Sequence, residues 1–330
     1  MVLRQKPIET LSFAALLLLT LSCGPCDEPN SEAGGPVLAG PYMGQQAPGM
    51  TPEKFLGDVL DHNFCSIFSP DGDEFYFTHY DPDTDACSIE FMKISDGVWS
   101  APEVASFSSD FTDNDIAMSA DGSRVVFRSN RPLSQRFTDE ERDGLYLWTS
   151  ARTDTGWTDP EAVAFAGRTD IPGGYPSLTH DGALYFTTKE LEGPGPKDIH
   201  RSRFVDGTFT VPENLGEPPN SPYGEGDLFV SPDGTFLIVS CYDHPENVGG
   251  ESFDLWVSFR TSDDSWTAPA NLGPPINTEF GENCPTVSPD GRFLFFNRYT
   301  GEEGNDENGT YWVDARFLDR FRPEDGEPVE

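Results

Sequence analysis

A chain of 330 residues with 57 Asp and Glu against 21 Lys and Arg carries a formal net charge of −36. A field of that sign repels nucleic acid and anionic headgroups and favours cationic partners. With 36% hydrophobic residues, 25 Phe, 32 Gly and 29 Pro, the composition fits an all-β protein rich in turns and argues against a helical bundle or a disordered chain.

The first residues hold Arg4 and Lys6, then an apolar stretch from Leu11 to Leu21, then Ser22-Cys23. A basic start followed by a short apolar run is the pattern of a bacterial secretion signal, and the run is too short to span a bilayer. Leu19-Thr20-Leu21-Ser22-Cys23 resembles the lipobox of bacterial lipoproteins, although Thr20 stands where that family usually has Leu. The resemblance implies removal of residues 1–22 and a lipid on Cys23, so that membrane contact is through that anchor alone. An ordinary signal peptide cleaved nearby is the competing reading. Residues 23–48, rich in Gly, Pro, Ala, Ser and Glu, read as a flexible tether. The rest, 49–330, forms the folded body.

Within that body one turn recurs. Ser69-Pro70-Asp71-Gly72 returns as Ser119-Ala120-Asp121-Gly122, Thr179-His180-Asp181-Gly182, Ser231-Pro232-Asp233-Gly234 and Ser288-Pro289-Asp290-Gly291. The aspartates are spaced by 50, 60, 52 and 57 residues, which makes this a repeat of one supersecondary unit. Pro at the second position and Gly at the fourth fit a type I turn. A strand is expected before each turn and a second, apolar one after it, at 74–78, 124–128, 184–187, 236–240 and 293–297. A third follows a loop of variable length. A fourth surrounds an aromatic with Pro three residues on: Trp99/Pro102, Trp157/Pro160, Phe209/Pro212 and Trp266/Pro269. Five four-stranded units point to a β-propeller of five blades, with six as the alternative, closed by either the fragment at 52–56 or the one at 317–322. A β-sandwich or tandem small domains fit repeats of this kind less well.

The Ser-Pro-Asp-Gly turn, the aromatic strand after it and the Trp-x-x-Pro element resemble the WD-like β-propeller repeats of the TolB type, over residues 50–323. That resemblance implies a binding or scaffold module; such propellers take diverse ligands, so it specifies no function. Members of the type have six repeats and a further N-terminal domain, neither visible here.

Recurrence also sorts the acids. Five identical turns need five identical caps, so Asp71, Asp121, Asp181, Asp233 and Asp290 read as structural. The loops opposite the turns are more acidic, including 79–85, 137–143, 242–254 and 299–309. Eight residues before each turn Asp stand Asn63, Asp113, Gly173, Glu225 and Glu282, with Asp115 and Asp227 two further on. If these line the channel mouth, they offer a hard-oxygen site for Ca²⁺ or Mg²⁺. Asp81-x-Asp83-x-Asp85 opens like a calcium loop but has Ala86 at the Gly position and Met92 at the Glu position, so a solvated acidic loop competes with it.

Six cysteines are present. Export favours disulfides. Cys65 and Cys284 hold the same place in the first and fifth units, and a bridge there would staple ring closure. Cys65–Cys87 with Cys241–Cys284 is the competing pairing, and sequence leaves both open. His-Glu-x-x-His, Gly-x-Ser-x-Gly and the phosphate loop are absent from the sequence. The expectation is a non-enzymatic cell-envelope propeller that recognises a protein, peptide or glycan on its acidic loop face. The alternative is a glycan-active hydrolase drawing on Asp113, Asp115, Glu225, Asp227 and Glu282.

Overall fold

The computed structural model describes residues 37–323, apart from 58, 61, 134–144, 251 and 303. The leader, Cys23, Cys26, the tether as far as residue 36 and the loop at 137–143 lie outside the described residues. No helix among the described residues is long and apolar enough to cross a membrane.

Five antiparallel sheets form the blades of a propeller. The first runs from an inner strand, Asn63–Phe68, through Glu74–Asp81 and Ala86–Ser95 to the edge Glu103–Val104. The second holds Asp113–Met118, Arg124–Ser129, Tyr146–Thr153 and Glu161–Ala162. The third holds Gly174–Leu178, Leu184–Thr188, Asp198–Ser202 and Glu213–Asn214. The fourth holds Gly224–Val230, Phe236–Tyr242, Phe253–Phe259 and Ala270–Asn271. The fifth takes Gly281–Val287, Phe293–Tyr299 and Gly309–Asp314 from the end of the chain, and Glu53–Lys54 from its beginning. Each inner strand contacts the next, and the last contacts the first.

The second strand of every blade is apolar at nearly every position because both its faces are buried. Phe293 and Phe295 pack toward the first blade, while Leu294 and Phe296 pack toward the fourth. Leu184 and Phe186 face one neighbour and Tyr185 the other. One apolar cluster fills each of the five interfaces. The fourth strands are shorter than the sequence implies. The recurring aromatic belongs instead to a small hairpin that extends the third strand, as at Val98–Trp99, Gly156–Trp157 and Thr208–Phe209. In the fifth blade a 3-10 turn, Ala315–Phe321, buries Phe317 and Leu318 in that region.

The recurring turn is a small network. In each copy the Asp carboxylate accepts from the Ser or Thr hydroxyl two residues before it, at 2.5–2.7 Å. It also accepts from the backbone N–H two residues after it, at 3.0–3.2 Å. The Gly N–H closes the turn onto the Ser or Thr carbonyl. Hydroxyl donors from Ser119 and Ser123 pull the Asp121 carboxyl down to about 2.

The segment expected as the end of the tether is part of the body. Leu38 and Met43 are buried between the first and fifth blades. Trp99 N–H donates to Leu38 O at 2.9 Å, and Trp99 Nε1 to Gly40 O at 2.9 Å. Tyr42 stands edge-on to Phe68 and Phe293 and donates to Asp290 at 2.8 Å. The propeller body therefore begins by residue 37, not 49.

Two outcomes follow from these contacts. A chain beginning at Gln46 exposes the Leu38 and Met43 sites and loses at least about 2 kcal/mol in urea denaturation; an idle tether would leave stability unchanged. Asp121 contributes stability above its unfolded value of 3.8 that is lost as pH falls toward about 2. Asp121→Asn is accordingly less stable than the parent at pH 5, and the gap between them narrows by pH 2, as read by denaturant midpoints.

Candidate functional site

The acids eight residues before each turn do not face the axis. Asp113 is fully buried and held by Arg131 Nη2 at 2.8 Å, by Ser109 N–H at 2.9 Å and by Ser108 Oγ at 3.1 Å. Glu282 is held by Arg298 Nε at 2.8 Å, Thr278 N–H at 3.0 Å and Thr278 Oγ1 at 2.6 Å. Glu225 accepts from Ser221 N–H at 3.0 Å and Ser221 Oγ at 2.5 Å. In all three the acid caps the loop that enters the inner strand, through a Ser or Thr four residues earlier. These are anchors, each held by its own loop, and of their carboxylate oxygens Glu225 Oε2 has no hydrogen-bond partner among the described residues.

The residues that reach the axis lie two positions later. Every inner strand shifts register between 64 and 67, 114 and 117, 174 and 177, 225 and 228, or 283 and 286. Such a bulge re-aims one side chain. It brings Cys65, Asp115, Tyr175, Asp227 and Cys284 to the floor of one cavity. Four of them hold left-handed backbone, with φ of 47° at Cys65, 52° at Asp115, 54° at Tyr175 and 50° at Cys284. In the fourth blade Gly226 precedes the axial residue, because a Cβ there would meet Ser240 Oγ and Tyr242 at 2.5 Å.

The cavity, about 270 Å³, opens on the side of the recurring turns, with Pro70, Pro232 and Pro289 at its rim. Ile67, Ile116, Leu178, Leu228, Phe229 and Val287 give it apolar walls. Cys65 and Cys284 are joined as a disulfide spanning 219 residues of sequence, and Cys87 and Cys241 are free thiols. Cys284 Sγ lies 3.1 Å from Asp227 Oδ1. Cys65 Sγ lies 3.6 Å from Asp115 Oδ1 and 3.7 Å from Asp227 Oδ1. The two carboxylates thus converge across the sulfurs.

Their electrostatics differ. Burial, and then the neighbouring Asp115, push Asp227 up to about 7. Burial raises Asp115 also, against the pull of Arg128, whose Nη1 is 3.3 Å from Asp115 Oδ2. Asp227 has no ion-pair partner within 4 Å among the described residues. The Lys197 charge favours ionised Asp227; burial brings the Lys197 amine down to about 8, and it sits 4.1 Å from the Tyr175 ring centroid. Arg128 and Lys197 do not line the cavity.

Among the described residues, one group of three metal-ligating side chains has donor atoms within 4.8 Å of each other: Cys65, Asp227 and Cys284. Among the described residues, Asp113, Asp115, Glu225, Asp227 and Glu282 are not gathered within that distance as an oxygen ring would be, nor are Asp81, Asp83 and Asp85. Asp81 caps its own hairpin instead, accepting from Asp83 N–H at 2.9 Å and Thr84 Oγ1 at 2.8 Å. Asp85 accepts from Tyr80 at 2.9 Å.

Sequence reasoning took Tyr175 only for an aromatic near the loops that could supply contact surface, and missed two buried asparagine clamps. Asn220 brackets Ile199, accepting from its N–H at 2.8 Å and donating to its carbonyl at 3.1 Å, and also donates to Asn214. Asn277 does the same around Leu255 and Asn271. The repeated Asn-Leu-Gly before each clamp, with Ser221 or Thr278 just after it, was the available signal.

No family model matches the chain, and no curated protein sequence matches it. Solved structures with a similar fold include a TolB-like protein from Agrobacterium tumefaciens, at 14% identity, covering 75% of this chain and 79% of that one, with a TM-score of 0.47. A protein of unknown function from Dyadobacter fermentans is also 14% identical, over 82% and 84% of the two chains, at 0.47. An alpha-L-arabinofuranosidase from Lactobacillus brevis is 14% identical, over 77% and 90%, at 0.45. Each is a likeness of fold and says nothing of this chain's ligand.

The anchoring role of the outer acids has a direct check. Arg131→Ala leaves Asp113 buried without its cation, and is expected to cost about 3–5 kcal/mol in denaturant unfolding. A loss below about 1 kcal/mol would contradict that role.

Proposed function

We infer that the chain is a non-enzymatic binding propeller of the cell envelope, exported and anchored through lipid on Cys23. In this reading its turn-side funnel receives an aliphatic group ending in a cation, such as a lysine side chain of a protein or peptide partner. The observation that carries it is the pairing of apolar walls with the Asp115 and Asp227 floor. The walls suit methylene groups. Asp227, with no ion-pair partner, suits an ammonium. A net charge of −36 favours approach by a cationic partner. The funnel replaces the acidic loop face as the favoured contact, because its walls and floor converge on one point.

Convergence of Asp115 and Asp227 also favours the hydrolase reading, since glycosidases use two facing carboxyls. The disulfide weighs against it. Cys65 Sγ stands within 3.7 Å of both Oδ1 atoms, in the gap where a glycosidic oxygen or an attacking water would sit.

Calorimetric titration with a lysine-bearing peptide and its acetyl-lysine counterpart separates these readings. The lysine peptide is expected to bind at least tenfold more tightly, and Asp115→Asn/Asp227→Asn to abolish the difference. Equal affinity for the two peptides, or release of reducing sugar from a glycan panel that the double variant loses, would contradict the binding reading.

A further inference from the structure

The floor of the funnel holds a second chemistry in its reduced form. Asp227 is 4% exposed, and its Oδ1 has two neighbours at hydrogen-bonding distance, Cys284 Sγ at 3.1 Å and Cys65 Sγ at 3.7 Å. Disulfide sulfurs carry no hydrogen, so neither can donate. In the oxidised form a buried carboxylate oxygen is therefore aimed at two sulfurs that offer it no donor. The three donor atoms come from the first, fourth and fifth blades and lie within 4.8 Å of one another. Asp115 Oδ1, from the second blade, is 3.6 Å from Cys65 Sγ and is the nearest fourth donor.

We propose that, when the Cys65–Cys284 disulfide is reduced, Cys65, Cys284 and Asp227 bind a Zn²⁺ ion at the funnel floor, with Asp115 as fourth ligand. Two thiolates with carboxylate oxygen form a donor set that suits Zn²⁺ and not Ca²⁺ or Mg²⁺. The step balances with a dithiol as reductant. The S–S bond accepts two electrons and two protons and becomes two thiols, and the dithiol leaves as a disulfide. Zn²⁺ then displaces the two thiol protons to solvent. Both cysteines line the cavity, so reductant and ion reach them from the turn side. The ion would rejoin the first and fifth blades where the disulfide had done so. This inference uses the same floor as the binding reading but does not depend on it, since no peptide enters the experiment.

The test uses the full-length chain with Cys23, Cys26, Cys87 and Cys241 each changed to Ala, so that Cys65 and Cys284 are its thiols. After reduction with a dithiol, removed without admitting air, Co²⁺ is added as a spectroscopic stand-in for Zn²⁺. The reduced protein is expected to bind one Co²⁺ per chain with intense thiolate-to-metal charge-transfer absorption, which Zn²⁺ bleaches. The oxidised protein should show none, and Asp227→Asn should weaken the affinity at least tenfold with both thiols still titratable. Zn²⁺ should also raise the melting temperature of the reduced chain. Absence of the band in the reduced protein, an unchanged affinity in Asp227→Asn, or a reduced chain that melts alike with and without Zn²⁺ would each overturn the proposal.

Discussion

The structure depends on a bulge repeated five times near the start of each inner strand. An uninterrupted strand alternates its side chains between two faces. The bulge breaks that alternation and turns one residue per blade into the axis. At four positions it does so with non-glycine residues in left-handed backbone, a conformation that costs on the order of 1–3 kcal/mol each. Glycine would remove that cost, yet the positions hold Cys, Asp, Tyr and Cys. Their side chains are what the strain retains: a disulfide between the adjoining first and fifth blades, a carboxylate and a phenol that together form the floor of a cavity.

Ring closure is layered on this. Glu53–Lys54 completes the fifth blade, the disulfide ties the first and fifth inner strands, and Leu38 to Met43 fill the interface between those blades. The blades meet face to face, and the second strands are buried on both faces. This is why Phe75, Phe77, Phe293 and Phe295 carry so much of the packing.

Blade number was legible in the sequence because the turn chemistry is local. Asp, hydroxyl and N–H partners lie within a few residues, so they recur visibly. The axis was less legible. Period-two alternation puts Asp113 and Asp115 on one face, and likewise Glu225 and Asp227, so all were grouped at the channel mouth. The bulge separates each pair, sending the first member to a loop and the second to the axis. Tyr175 carried no acidic signal and drew attention only as an aromatic near the loops. The disulfide partner could not be chosen from spacing, since Cys65 and Cys284 meet only after the ring closes. Residues 37–48 look like linker because Leu38 and Met43 find their partners, Trp99 and Trp312, far along the chain.

The charge of −36 is spread over the chain, and the acids of the recurring turns and of the loop caps are held by hydroxyls, backbone amides or arginines. Asp115 and Asp227 each have an oxygen turned to sulfur and a cavity above it, and Asp227 alone of the two has no arginine beside it. The central claim is that the axial floor, reached from the turn side, is where a ligand cation comes to rest. A crystal structure of the protein soaked with n-butylammonium tests this most directly. The account predicts the ammonium within hydrogen-bonding distance of Asp227 or Asp115, with its chain against Ile116 and Phe229. Ammonium bound instead on the opposite face near Asn305 and Asp306, with the funnel empty, would contradict it.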